Sequence, residues 1–418
     1  MTVAANRWLA GRYDCVVMLT WSNWATESRG NRYHYAVRFA REVPVLFVEP
    51  NGCGADVQLD PTEVPGVTVV HVSPSASKAR ADAIARLIES SKFRAPLFWV
   101  YNHNFNDVLA HYRASPKVYH ATEDYFSENM KERTGANRHK ERYYRKKLRA
   151  RLALALQSMD LAVCVTQGVA RSISHSGVYG GPITILENGC DYGFWTARRI
   201  ARTPSSRRIA IYQGAINERL DARMLLDVAR ALPDWEIRFC GRVGGTCDGW
   251  EALVKEANVR YLGFLDPDSL ARAIHEADVG LIPFVKDPIL TIRSLPLKAF
   301  EYVACGLPVV SVPIDSLRDY PSIFRFATDA GGFVAAMEEA AGKRDDPVEH
   351  AARLTAARAH DYDLRFGDLV NVIRGLERHR RPLGSSGALV RAAAYEFGAW
   401  WSGFRALATQ GGRRRAPH

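Results

Sequence analysis

The stretch Ser294-Leu295-Pro296-Leu297-Lys298-Ala299-Phe300-Glu301-Tyr302-Val303-Ala304-Cys305-Gly306-Leu307-Pro308-Val309-Val310-Ser311 decides how this chain is read. Its spacing predicts a loop, a short helix, a glycine stop and then a buried strand. Pro296 suits the first turn of a helix, where a missing N–H costs nothing. Gly306 suits the left-handed position just past the last turn, and Pro308 keeps the helix from continuing. Lys298 and Glu301 stand three apart and share one face at the start of that helix. A helix N-terminus with a lysine receives phosphate readily, and a carboxylate one turn later can accept hydrogen bonds from sugar hydroxyls. Together they form a cradle for a nucleoside diphosphate.

Outward from this segment, short β-branched runs alternate with helical patterns. Candidate strands lie at 15–19, 45–48, 67–72, 97–101, 118–120, 161–165 and 183–186, with helices at 33–41, 81–90 and 142–157 between them. A second series of strands follows at 209–213, 235–239, 259–262, 279–282 and 309–312. Such alternation predicts parallel, doubly wound sheets. At 418 residues the chain exceeds what one core usually fills, so two α/β domains are expected. We place the first at 1–195, a linker rich in Arg, Ser and Thr at 196–207, and the second at 208–382. Beyond a flexible break at 384–387, residues 388–407 have an amphipathic, aromatic-rich helical pattern, followed by a basic flexible tail at 408–418. That helix either packs back on the first domain or lies at a membrane interface; periodicity leaves both open.

Composition narrows the class. No apolar run reaches the roughly 20 residues of a bilayer span, and 4–12 is too polar for a secretory h-region, so no leader is expected. Seven cysteines at 15, 53, 164, 190, 240, 247 and 305 form no Cys-x-x-Cys pair and read as reduced thiols of a cytosolic protein. The net charge of +11 calls for an anionic partner or surface. Residues 131–151 hold ten Lys/Arg against two Glu, and 378–381 and 413–415 add further clusters. No nucleic-acid reader motif accompanies them. The remaining readings are an anionic membrane surface and an ordinary solvated helix face.

Asp278-Val279-Gly280-Leu281-Ile282-Pro283-Phe284, Asn258-Val259-Arg260-Tyr261-Leu262-Gly263, Ile211-Tyr212-Gln213-Gly214-Ala215-Ile216 and Glu187-Asn188-Gly189-Cys190-Asp191 join the opening segment in a consistent series. In their order along the chain they resemble the motifs of GT-B glycosyltransferases, above all bacterial enzymes of exopolysaccharide and surface-glycan synthesis, over roughly residues 14 to 315. The resemblance implies two Rossmann-like domains facing across a cleft, the second binding a nucleoside diphosphate-sugar (a UDP-sugar by first choice) and the first holding the acceptor. It also implies no cofactor and no essential metal. Asp266-Pro267-Asp268 has the look of a metal-binding D-x-D, but helix capping explains it.

Lys298 is the leading candidate to clamp the diphosphate, because charge grows on the leaving group as the glycosidic bond breaks. Glu301 resembles the family glutamate that binds ribose hydroxyls. Thr291, Arg293 and Ser294 flank the motif, and Arg242 follows a strand end. Gly214 and Ala215 open a loop expected to start a helix and to bring backbone amides near phosphate. Many retaining family members carry a second glutamate eight positions before the first; here that position is Arg293. This departure leaves the stereochemical outcome open and suggests a carboxylated donor sugar. In the first domain, the segment Tyr119 to Tyr125 resembles the "V-Y-x-x-x-D-D" run of exopolysaccharide transferases, distantly that of the xanthan glucuronosyltransferase, and offers Glu123 or Asp124 as general base. His120 is the candidate for shaping the sugar site. Trp21, Trp24 and Asn31 on the loop after the first strand, with His103 on the same rim, are the acceptor candidates.

The expected protein is thus a metal-independent hexosyltransferase passing sugar to a glycan or polyprenyl-linked acceptor, cytoplasmic and peripheral on the inner face of the cell membrane, with no nucleic acid partner. A nucleotide-sugar epimerase of the same architecture, or a non-catalytic scaffold binding anionic lipid or nucleic acid, are the alternatives.

Overall fold

A computed structural model describes residues 8–27, 29–52, 54, 56–126, 138–199 and 207–376. Its contacts divide the chain into two compact units, Met1–Leu186 with Phe366–His418, and Glu187–Arg365. The first boundary falls before the expected one at 195, and the return falls within the helix Tyr362–Arg374 rather than at 382. Local bonding explains the earlier boundary. Asn188 donates to the Leu295 carbonyl at 2.5 Å, Cys190 N–H to the His360 carbonyl at 2.9 Å, and Trp195 is buried in the core of the second unit. The central part of the expected linker (200–206), the expected helix at 388–407, the tail at 408–418 and the basic clusters beyond 376 lie outside the described residues.

The first unit carries β1 (Cys15–Leu19), β2 (Val45–Glu49), β3 (Gln58–Pro61), β4 (Val67–His71), β5 (Pro96–Val100), β6 (Lys117–Ala121), β7 (Leu161–Cys164) and β8 (Ile183–Ile185), in the order β3-β4-β2-β1-β5-β6-β7-β8. All pairs are parallel except β3 with β4. Strands β1, β2, β5 and β6 are buried along their whole length, as continuous apolar runs must be when helices cover both faces. Strand β3 was not expected: it is exposed throughout and ends in Pro61, as an edge strand can.

The second unit carries β9 (Arg208–Gln213), β10 (Trp235–Cys240), β11 (Val259–Gly263), β12 (Val279–Ile282), β13 (Val309–Ser311) and β14 (Phe324–Phe326), ordered β11-β10-β9-β12-β13-β14 and parallel at every pairing. This is the Rossmann order, with the chain's direction of winding reversing between β9 and β12. Ligands of such sheets bind beyond the carboxyl ends of the strands at that reversal. The three-residue β14 is too short to carry a sequence signal and was also not expected.

The opening motif forms the helix Leu297–Ala304, with Pro296 at its N-cap rather than inside the first turn. Gly306 takes φ +67°, the left-handed stop that its position predicted. The helix buries Phe300 and Tyr302 completely, and a side chain of that size contributes roughly 1.5–3 kcal/mol on burial. Phe300 stacks on His360 at 3.6 Å, and Tyr302 lies across Gly280, where an added Cβ would come within 2.6 Å of the ring. Among the described residues no helix is long and apolar enough to cross a membrane.

Candidate functional site

In the second unit, the ends of β9 and β10 and the start of the helix Leu297–Ala304 converge. Tyr302 ties them together: its hydroxyl accepts from Gln213 N–H at 2.7 Å and donates to the Ile211 carbonyl at 3.3 Å. Both bonds are buried, so the motif helix is fixed in register against β9. Lys298, one turn earlier, reaches over the Tyr212 ring at 3.9 Å and faces Phe284 at 5.5 Å. A Cβ on Gly214 would sit 2.6 Å from its Nζ, and Gly214 has φ +130°, so only glycine leaves this seat open. Gly241 (φ +148°) lies directly behind, where a Cβ would collide with the Gly214 carbonyl. The glycine pair lets β9 and β10 ends pack closely enough for the ammonium to rest on top.

Glu301 accepts a hydrogen bond from Gln213 Nε2. It makes no ion pair with Lys298 within 4.0 Å among the described residues, so the two charges point to different partners instead of quenching each other along the helix. Burial pushes the Lys298 ammonium down to about 7, against the pull of Glu301, with Arg219 lowering it further. Burial likewise pushes Glu301 up to about 7, opposed by Gln213 and Lys298. Both side chains keep partial solvent exposure. The arrangement holds one cation and one carboxylate, each under-compensated, at the point where this fold binds ligands; a ligand bringing phosphate to one and hydroxyls to the other would satisfy both.

The remaining expected donor residues are spread around this centre. Arg242 follows β10 and lies over Phe264 at 4.2 Å. Ser294 donates to the Leu290 carbonyl, and Thr291 to that of Asp287 at 3.2 Å; both hydroxyls serve the turn of the helix Pro288–Arg293, which Arg293 ends. The loop after β9 differs from expectation. Gly214 and Ala215 do not open a helix: Gly214 N–H binds the Cys240 carbonyl and Ile216 N–H that of Arg242, both at 2.9 Å. The helix begins only at Ala222, capped by Asp221. Two of the amides expected to approach phosphate are thus used to join the ends of β9 and β10. Asp266 accepts from Asp268 and Ser269 N–H groups at 3.0 Å, the capping role read from its sequence.

In the first unit the expected residues gather at the ends of β1, β5 and β6. Trp21 donates to the Tyr101 carbonyl at 2.9 Å and meets His103 edge-on at 5.2 Å. Trp24 packs on Tyr33 and Phe47 and donates to Glu63 at 3.1 Å. Both indoles are therefore largely occupied with their own unit. His103 and His120 are buried, and burial pushes both imidazoles down to about 3, with Arg151 and Arg32 respectively adding to it, so the rings are neutral. Asn31, also buried, begins the helix Asn31–Ala40. Asp124 accepts from Phe126 N–H at 2.9 Å and Ser172 Oγ at 2.7 Å, which makes it a turn cap. Glu123 is exposed and accepts from Tyr125 OH at 3.2 Å. Part of the basic run has structural duties: Arg149 binds the Tyr125 carbonyl at 2.9 Å and Arg151 the Asn104 side chain at 2.7 Å.

The family model described as "Glycosyl transferase-like" matches residues 213–371, the span from the end of β9 to the helix Tyr362–Arg374. A Bacillus subtilis (strain 168) protein named for teichuronic acid biosynthesis, the glycosyltransferase TuaH, is 25% identical over 57% of this chain and 62% of its own length. This chain thus spans less than two thirds of that relative. An Escherichia coli trehalose-6-phosphate structure bound with UDP-2-fluoro glucose superimposes with a TM-score of 0.62 at 10% identity, covering 87% of this chain and 99% of its own. Anabaena Alr3699/HepE in complex with UDP and glucose gives 0.60 at 14% identity, over 87% and 100%. The chain has the GT-B glycosyltransferase fold. Within that fold the sequence alone passed over Tyr212, Gly241 and Tyr302. Tyr302 stands inside the opening motif, and its period-matched place on the buried face of the helix was the available signal. Gly241 offered only a glycine at a strand end.

Proposed function

We propose that this chain is a glycosyltransferase that moves a hexose from a UDP-sugar to a glycan or lipid-linked acceptor in the synthesis of a bacterial surface polysaccharide. The observation that carries this reading is the Lys298 ammonium, seated on Tyr212 and Gly214 with no carboxylate within 4.0 Å among the described residues, and Glu301 beside it on Gln213. Lys298 takes the diphosphate and stabilises its growing charge as the glycosidic bond breaks. Glu301 accepts the ribose hydroxyls, and Tyr302 holds both on one rigid helix. Glu123 is the base that takes the acceptor proton, since Asp124 is occupied as a cap. No divalent metal is needed, because Lys298 supplies the compensating charge. The UDP complexes of the similar folds support the choice of nucleotide, and TuaH supports the surface-glycan setting. The basic helix Arg138–Leu156, with Tyr144 and Leu154 exposed, supports a peripheral place on an anionic membrane face.

A panel of nucleotide sugars with UDP release as readout tests the proposal. Release from one sugar, unaffected by EDTA and lost in Lys298→Met, is expected. An epimerised sugar nucleotide formed without any acceptor would instead establish the epimerase reading, and saturable nucleotide binding absent altogether would leave only a scaffold.

A further inference from the structure

The transferase reading leaves one cluster in the first unit unused. Arg32 stands in the first turn of the helix Asn31–Ala40, whose N-cap is Gly30 and carries no capping side chain. Glu27 fills that place from the preceding loop. Its carboxylate accepts from Gly30 N–H at 3.2 Å and from Arg32 Nε at 3.1 Å, and its side chain is only 3% exposed. A carboxylate already sits where an incoming anion would, on a helix start and a guanidinium together.

Only one edge of that guanidinium is engaged. Its two terminal nitrogens make no hydrogen bond among the described residues, and the side chain is 28% exposed, so the fork remains open to a ligand. The Tyr101 ring lies beneath it at 5.8 Å and stacks on His120 at 5.0 Å. His120 Nδ1 is buried without a partner among the described residues, and the residue is 2% exposed. An orphaned buried polar atom costs about 1–3 kcal/mol, so one lying close to an open guanidinium points to a polar ligand that completes it. Glu123, the proposed base, acts electrostatically on the same guanidinium. A neutral sugar would leave Arg32 to compete for that base. An anionic group would occupy the fork and release it.

We propose that the acceptor carries an anionic group, a carboxylate or a phosphate, which Arg32 reads through its two terminal nitrogens while Glu27 holds the guanidinium in place before the acceptor arrives. The planar fork matches either group in two parallel bonds. The word acceptor rests on the transferase reading; the anion site itself does not.

The full chain is titrated with methyl glucoside, methyl glucuronide and glucose 6-phosphate, each with and without saturating UDP, by calorimetry. With UDP covering Lys298, the glucuronide or the phosphate should bind at least tenfold more tightly than the glucoside, and the stronger of the two identifies the group. Arg32→Met should abolish the preference, Arg32→Lys should keep part of it, and Glu27→Gln should strengthen the anionic probe several-fold. UDP affinity should stay unchanged in all three, and an unchanged urea unfolding curve should show that the variants are folded. Equal affinity for neutral and charged probes, no binding of either charged probe, or a preference that survives Arg32→Met overturns the proposal. Failure of wild-type protein to bind UDP sinks the transferase reading instead, and the titrations without UDP still report on Arg32.

Discussion

Lys298 and Glu301 set the behaviour of the donor site with pH. Burial brings both close to 7 from opposite sides. A bound diphosphate holds the ammonium charged, so above about pH 7 binding takes up a proton and affinity falls as pH rises. Below about pH 7 Glu301 is protonated in the empty protein and must release its proton to accept ribose hydroxyls, so affinity falls there too. UDP affinity should therefore peak near pH 7. Calorimetry at pH 8 in buffers of different ionisation enthalpy should show uptake approaching one proton in wild type and none in Lys298→Met, whose affinity should be about 10–100-fold weaker, as expected for loss of a charge-assisted bond. Gly214→Ala probes the seat rather than the charge. Its Cβ would lie 2.6 Å from Nζ at a backbone conformation that alanine tolerates poorly. It should weaken UDP binding and lower stability by about 1–3 kcal/mol, read from urea unfolding.

At the scale of elements, the helix Leu297–Ala304 and strand β9 act as one piece because Tyr302 bridges them. Tyr302→Phe removes an acceptor for Gln213 N–H and a donor to the Ile211 carbonyl in a fully buried setting. A loss of about 1–3 kcal/mol in urea unfolding is expected, together with weaker UDP binding from a looser Lys298. A second joint ties this helix to the end of the second unit. Glu187 accepts from Tyr320 OH at 3.0 Å and pairs with His360 Nε2 at 3.1 Å, and the His360 ring lies on Phe300. Burial would raise the Glu187 carboxyl, but the bonds from His360 and Tyr320 outweigh it and hold it below the usual range. A depressed carboxyl contributes stability above its unfolded value of 4.5 that is lost as pH falls through the folded one. Glu187→Gln should therefore lower stability at pH 7 by about 1–3 kcal/mol and flatten the acid limb of a melting-temperature profile.

For the molecule as a whole, the two parallel sheets and most of their strands were legible as apolar runs separated by helical patterns. Strands β3 and β14 were not. The first is polar and exposed, the second three residues long, and each exists only because a neighbouring strand offers an edge to pair with. The unit boundary moved for a similar reason: Asn188, Cys190 and Trp195 are bonded or packed into the second unit by residues far along the chain.

Local spacing determined by itself that Pro296 and Gly306 bracket a helix, that Lys298 and Glu301 share its first turns, and that two α/β series follow each other. Period and turn chemistry depend on neighbours in sequence, so one chain suffices to read them. Only the tertiary structure decided that Lys298 turns to Tyr212 and Gly214 instead of Glu301, that Asp124 is a cap while Glu123 stays exposed, and that Arg32 lies over Tyr101, which stacks on His120. Those directions come from partners up to 88 positions away, as in the bond from Gln213 to Glu301. A side chain's aim is set by whatever packing leaves open around it, and that is a property of the assembled sheet.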